Sequence, residues 1–140
     1  MTVPTNLGHK PIIAVKDYEQ IDGIYQNNTD AKALSIGRAQ YDSDEISLKV
    51  FRYAGQWSRQ SEELPIHRVL DLSILLLRTL CPDSVAMITS SISERMVDMD
   101  QNGQGQKEIL DYCRQNRQYF LPRLEEMKYL LEKVNYKEIM

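Results

Sequence analysis

The stretch from Ile66 to Leu80 is apolar around almost its whole circumference, and it follows closely on the densest polar block of the chain, Ser58-Arg59-Gln60-Ser61-Glu62-Glu63. A helix of that kind is expected inside a domain, where its few polar groups, His67, Arg68, Asp71 and Arg78, need partners or water. At roughly 100° per residue, His67, Asp71 and Arg78 fall within about 40° of one another and form a narrow polar stripe. If the helix reaches one turn further back, Glu63 joins them and a carboxylate lies on each side of the imidazole. Such neighbours favour the imidazolium while burial opposes it, so the balance decides whether His67 serves as an acid or as a base. The competing reading is an internal salt-bridge network that only fixes the helix.

The rest of the chain sets the frame for that junction. Its 140 residues suit one domain, residues 1–140, large enough to bury a core without disulfides or metal. Hydrophobic residues at 42% and charged residues at 26% are ordinary globular usage, which argues against long disordered tracts. With 17 basic and 20 acidic residues the net charge is -3, which leaves no electrostatic footprint for nucleic acid or an anionic membrane. The first residues lack the basic and apolar regions of a secretory signal, and the apolar run Ile74 to Leu77 is far short of a membrane span, so a cytoplasmic protein is expected. Cys81 and Cys113 are isolated and read as ordinary thiols, not as a zinc or redox pair.

Periodicity gives a mixed fold. Ile12-Ile13-Ala14-Val15 suits a short strand, and Asp17 with Gln20 predicts a brief helical turn that Gly23 stops. Ala33 to Tyr41 alternates, with Leu34 and Ile36 on one side and Ala33, Ser35, Gly37 and Ala39 on the other. Ile46, Leu48 and Val50 form a second alternating run, and Asp42-Ser43-Asp44-Glu45 joins the two as a hairpin. The short-chained side admits a close neighbour, whether another backbone, a packed helix or a ligand. Pro65 suits the first turn of the apolar helix and Cys81-Pro82-Asp83 its end. Val85 to Met99 has helical spacing, with a strand over 85–88 as the alternative, and Lys107 to Tyr119 and Pro122 to Tyr136 read as two helices interrupted at Pro122. In the last, Phe120, Leu124, Met127, Leu131 and Val134 form a stripe that faces either the core or a dimer seam. The expected class is α+β, a short N-terminal strand and a β-hairpin packed against a mostly helical C-terminal half.

Two further groups can carry chemistry. Trp57 and Arg59 can offer a stacking surface to a planar ligand, with Arg38 and Arg52 converging from the hairpin on an anion; the plainer reading is a tryptophan that seals the core edge and solvated arginines. Asp98-Met99-Asp100-Gln101-Asn102-Gly103 places oxygens at alternate positions before a glycine, as a calcium loop does. Ile109 stands where the bidentate glutamate belongs, however, and an ordinary turn explains Asp98, Asp100 and Asn102 equally. No phosphate loop, dinucleotide fingerprint or nucleophile elbow occurs, and no cofactor is called for.

The stretches Ala33-Leu34-Ser35-Ile36-Gly37-Arg38-Ala39-Gln40-Tyr41 and Trp57 to Arg68 resemble those of a small bacterial family without an assigned role. The resemblance covers the middle third of the chain and implies no activity, cofactor or catalytic residue. The leading expectation is therefore a ligand- or protein-binding regulatory module that self-associates. Second comes a small acid/base enzyme, hydrolytic in type, using His67 with Glu63 or Asp71. A calcium-loop protein is third.

Overall fold

The computed structural model describes residues 1–81 and 90–140. Four strands, β1 (Lys10–Val15), β2 (Ala31–Arg38), β3 (Ile46–Arg52) and β4 (Glu63–Pro65), form one antiparallel sheet in the order of the sequence, followed by helices α1 (Ile66–Leu80), α2 (Gly105–Gln115) and α3 (Arg117–Lys133). The fold is thus α+β. The chain divides into two compact units, Met1–Leu77 with the sheet and most of α1, and Arg78–Met140 with the last turn of α1, α2 and α3.

The predicted hairpin is present. Ser35 pairs with Lys49 and Gly37 with Ser47, while at the turn the Glu45 amide donates to the Asp42 carbonyl and the Asp44 amide to the Asp42 carboxylate. Because opposite residues of an antiparallel pair share a face, Ala33, Ser35 and Gly37 lie on one side with Ser47, Lys49 and Phe51. Leu34, Ile36, Leu48 and Val50 lie on the other.

The first of these faces is the buried one. Ala31, Ala33, Ser35, Gly37, Ala39, Ser47, Lys49 and Phe51 are all buried, and Phe51 is fully so, which stabilises the fold by about 2–3 kcal/mol. Residues 3–9, which have no strand or helix of their own, cover it: Leu7 packs with Ala33 and Phe51, Val3 and Trp57 adjoin them, and His9 is fully buried. Of the neighbours that the short side chains could admit, the backbone is the one present. A Cβ on Gly37 would collide with the Lys10 carbonyl oxygen, at the point where the bulge between Pro11 and Ile13 shifts the β1–β2 register.

The opposite face departs from expectation. Ile13, Val15, Leu34, Ile36, Leu48, Val50, Leu64 and Val69 of α1 line an open apolar groove of about 410 Å³. The all-round apolar helix is not enclosed either: no residue of α1 is buried, and Leu70, Leu72, Leu75 and Leu76 are exposed. The small-residue face, which a helix was one candidate to fill, is already occupied by residues 3–9.

In the second unit, the break between helices falls at Asn116, where Pro122 was expected to cause it. The Asn116 side chain donates to the Tyr112 carbonyl and ends α2, whereas Pro122 lies within α3 and gives up one helical hydrogen bond. Gln106 donates to the carbonyls of Thr79 and Cys81 and so satisfies acceptors at the end of α1. Of the helix expected over Val85 to Met99, residues 85–89 lie outside the described residues, and the remainder holds one 3-10 turn, Ser93–Arg95. Met127, Leu131 and Val134 of the heptad-like stripe are exposed. Among the described residues, no helix is long and apolar enough to cross a membrane.

Candidate functional site

Two arrangements of polar side chains stand out, both in the unit Met1–Leu77. The first lies beneath residues 3–9. His9 sits 3.2 Å from Glu63 Oε2 and 3.0 Å from Ser47 Oγ through Nδ1, and 2.8 Å from Ser35 Oγ through Nε2. Ser47 Oγ donates to Glu63 Oε2 at 2.7 Å, and the Gln40 amide donates to the same oxygen at 2.9 Å. For neutral His9 one proton arrangement satisfies every group: Nδ1–H is shared between Ser47 and Glu63, and Ser35 donates to Nε2. Lys49, also buried, places Nζ 3.8 Å from Glu63 Oε1 and donates to the Ser61 carbonyl at 3.4 Å.

Competing effects set the charges here. Burial pushes the Glu63 carboxyl up, but the hydrogen bonds from Ser47, the Gln40 amide and His9 together outweigh it and hold Glu63 below the usual carboxylate range. Burial pushes the Lys49 ammonium down, and the nearby Glu63 and Glu62 offset only part of that. Glu63, His9 and Ser35 form a carboxylate–imidazole–hydroxyl series of the kind that activates a nucleophile. Ser35, however, is 5% exposed and His9 fully buried, so a substrate has no room beside the hydroxyl. As it stands, the cluster is a satisfied polar core that ties residue 9 to three strands.

The second arrangement is open. A cleft of about 600 Å³ is lined by Trp57, Arg59, Arg52, Asp30, Asn6 and Leu7, with Gln56 and Gln60 among the further polar residues. Trp57 comes from a tight reversal at Gly55, whose φ of 82° favours glycine, and a bridge pairs Trp57 with Tyr53. Its ring meets Phe51 and Tyr53 edge to face, with centroids 6.0 and 5.1 Å away. Arg52 grips Glu62 with two hydrogen bonds of 2.8 and 2.7 Å and also bonds Asp30. The paired guanidinium holds the Glu62 carboxyl down to about 2, and the two carboxylates raise Arg52 above its ordinary value. Arg59 is exposed, and no acid pairs with it among the described residues.

The residues singled out in the sequence are therefore divided. Trp57, Arg59 and Arg52 share one cleft; Arg38 stands apart and donates to the Ser43 carbonyl in the hairpin turn. Glu63 belongs to β4, since α1 begins only at Ile66, and its carboxylate is engaged by His9 and not by His67. His67 is exposed on α1, and Asp71 is half-buried there. In the calcium-like segment, the carboxylates of Asp98 and Asp100 accept the backbone amides of Asp100, Asn102 and Gln104, and a Cβ on Gly105 would stand 2.7 Å from Asp98 Oδ1, so the acids hold a turn. Among the described residues no group of acids, histidines and cysteines is arranged to hold a metal ion. Sequence reasoning missed His9 and Lys49; the signal available was the run of small residues opposite Ser47 and Lys49, which marks a face that receives something.

No curated protein and no solved structure matches the chain. A family model does match residues 1–84, which include the whole sheet, both polar arrangements and α1, and on that ground the chain belongs to a family of unknown function (DUF6530).

Proposed function

We propose that the protein is a cytoplasmic binding module whose ligand, a small planar molecule with an anionic group, occupies the Trp57–Arg59 cleft. The observation that carries this reading is the meeting, in one hollow, of an aromatic wall and an arginine that no acid among the described residues pairs with. Trp57 is held in place by Phe51 and Tyr53, so its ring can stack on a planar group at little entropic cost. Arg59 supplies the charge for the anion, because Arg52 is already neutralised by Asp30 and Glu62. Asn6, Gln56 and Gln60 add polar partners of both kinds.

Benzoate and the nucleoside monophosphates, which combine a planar ring with an anion, form the test panel. A binder should raise the melting temperature by linkage and quench the single tryptophan, and Arg59→Ala should remove both effects while the apo melting point stays within a few degrees. A panel that leaves melting and Trp57 fluorescence unchanged rejects the reading. Self-association belongs to the same proposal, on the ground that Ile12 and Ile13 of β1 and several leucines of α1 are exposed. Light scattering decides it: a mass equal to one 16.3 kDa chain removes the oligomer.

A further inference from the structure

We infer that residues 1–9 act as a strap forming one wall of the Trp57–Arg59 cleft, and that His9 is the positioning residue that fixes the strap. Asn6 and Leu7 line the cleft directly. The segment before Lys10 belongs to no strand or helix, so its path must be set by what its side chains grip. Three of its side chains are buried, Pro4, Leu7 and His9, and the last two have defined partners. Leu7 enters the apolar cluster with Ala33 and Phe51, and His9 enters the polar cluster with hydrogen-bond partners on β2, β3 and β4. Two exposed contacts, the Met1 ammonium 3.5 Å from Asp17 and the Lys10 ammonium donating to the Thr5 carbonyl at 3.5 Å, contribute little.

A line of rings joins the anchor to the cleft. His9 meets Phe51 edge to face at 5.5 Å, and Phe51 meets Trp57 at 6.0 Å. If the imidazole loses its seat, Leu7 and the Phe51 ring lose their cover, and the Trp57 wall opens to water. The strap therefore rests on the cluster of His9, Ser35, Ser47 and Glu63, and its state can be read from the tryptophan without any ligand; only the final readout below depends on the binding proposal.

The experiment uses the full chain and three variants. Ser35→Ala removes the bond at Nε2 with little change of volume. His9→Asn offers an amide on the Glu63 side and none to Ser35, whereas His9→Gln reaches toward Ser35. Trp57 emission and its quenching by iodide are measured well below the melting point, with far-UV circular dichroism as the check of folding. The expected result is unchanged far-UV signal, a red-shifted emission and a several-fold larger iodide quenching constant for each variant. A purely structural role would lower the melting temperature and leave quenching of the folded protein as in the wild type, and that result overturns the inference. Should either His9 variant fail to fold, Ser35→Ala alone carries the test. The last readout is benzoate affinity. If benzoate binds the wild type, the loosened strap should weaken it about tenfold, equivalent to roughly 1.4 kcal/mol, and an unchanged affinity counts against the strap. Failure of the wild type to bind any member of the panel rejects the binding proposal instead, and the quenching data still decide the strap.

Discussion

The two faces of the sheet reverse the usual assignment of polar and apolar residues. The face made of alanine, serine, glycine, a lysine and one phenylalanine is sealed, while the face made of leucine, isoleucine and valine is an open groove. Burial here follows from what the chain lays over a surface, not from how apolar that surface is. Small residues let the segment before β1 lie close, and the polar groups enclosed by it are tolerated because almost every one has a partner. The contrast predicts that single changes on the sealed side cost far more than larger changes on the open side.

The most damaging substitution should be Phe51→Ala, which empties the centre of the sealed face and is expected to cost about 3–5 kcal/mol in urea unfolding. Next comes Glu63→Gln, which keeps the shape but disturbs the bonds with His9, Ser47 and the Gln40 amide; it should cost about 1–3 kcal/mol. Leu48→Thr on the groove should cost no more than about 1 kcal/mol, since the side chain is only half-buried. A loss as large as that of Phe51→Ala would show that the groove is covered in solution, and the contrast between the faces would then fail.

The pH dependence sharpens the same contrast. Glu62 and Glu63 titrate lower in the folded chain than their ordinary value of 4.5, so they contribute stability above that value and lose it as the pH falls, with Glu62 titrating down to about 2. Lys49 adds a second rise of the same sign at alkaline pH. Its folded value lies below 10.5, the unfolded chain holds the proton more tightly, and stability should climb as the pH rises towards 10.5. Unfolding measured across pH should show both limbs, and Lys49→Met should flatten the alkaline one.

Much of the sheet was legible because its signals are local. Alternation around Leu34 and Ile36, a β-branched run at Ile12, and an acidic turn at Asp42 each depend on neighbours a few residues apart. β4 was not legible. Three residues ending in Pro65 carry too little pattern to separate a strand from a helix entrance, and the adjacent acids fitted a helix start equally well. The cluster of His9 was hidden for a different reason: its partners lie 26, 38 and 54 residues away, and nothing near Gly8 or Lys10 announces them. Trp57 and Arg59 were found together because two positions of separation around a single tryptophan are visible in the sequence. The helix break at Asn116 was masked by the stronger conventional signal of Pro122, which the interior of α3 accommodates.

The carbonyl of Lys10 occupies the space that any side chain at position 37 would need. That position is accordingly a veto point for sequence drift. A library randomised there and sorted for soluble, folded protein should return glycine almost alone, and alanine, the smallest alternative, would survive only with the first strand peeled from the second. A place on the sheet that bears no side chain thus governs how freely the whole amino-terminal end can vary.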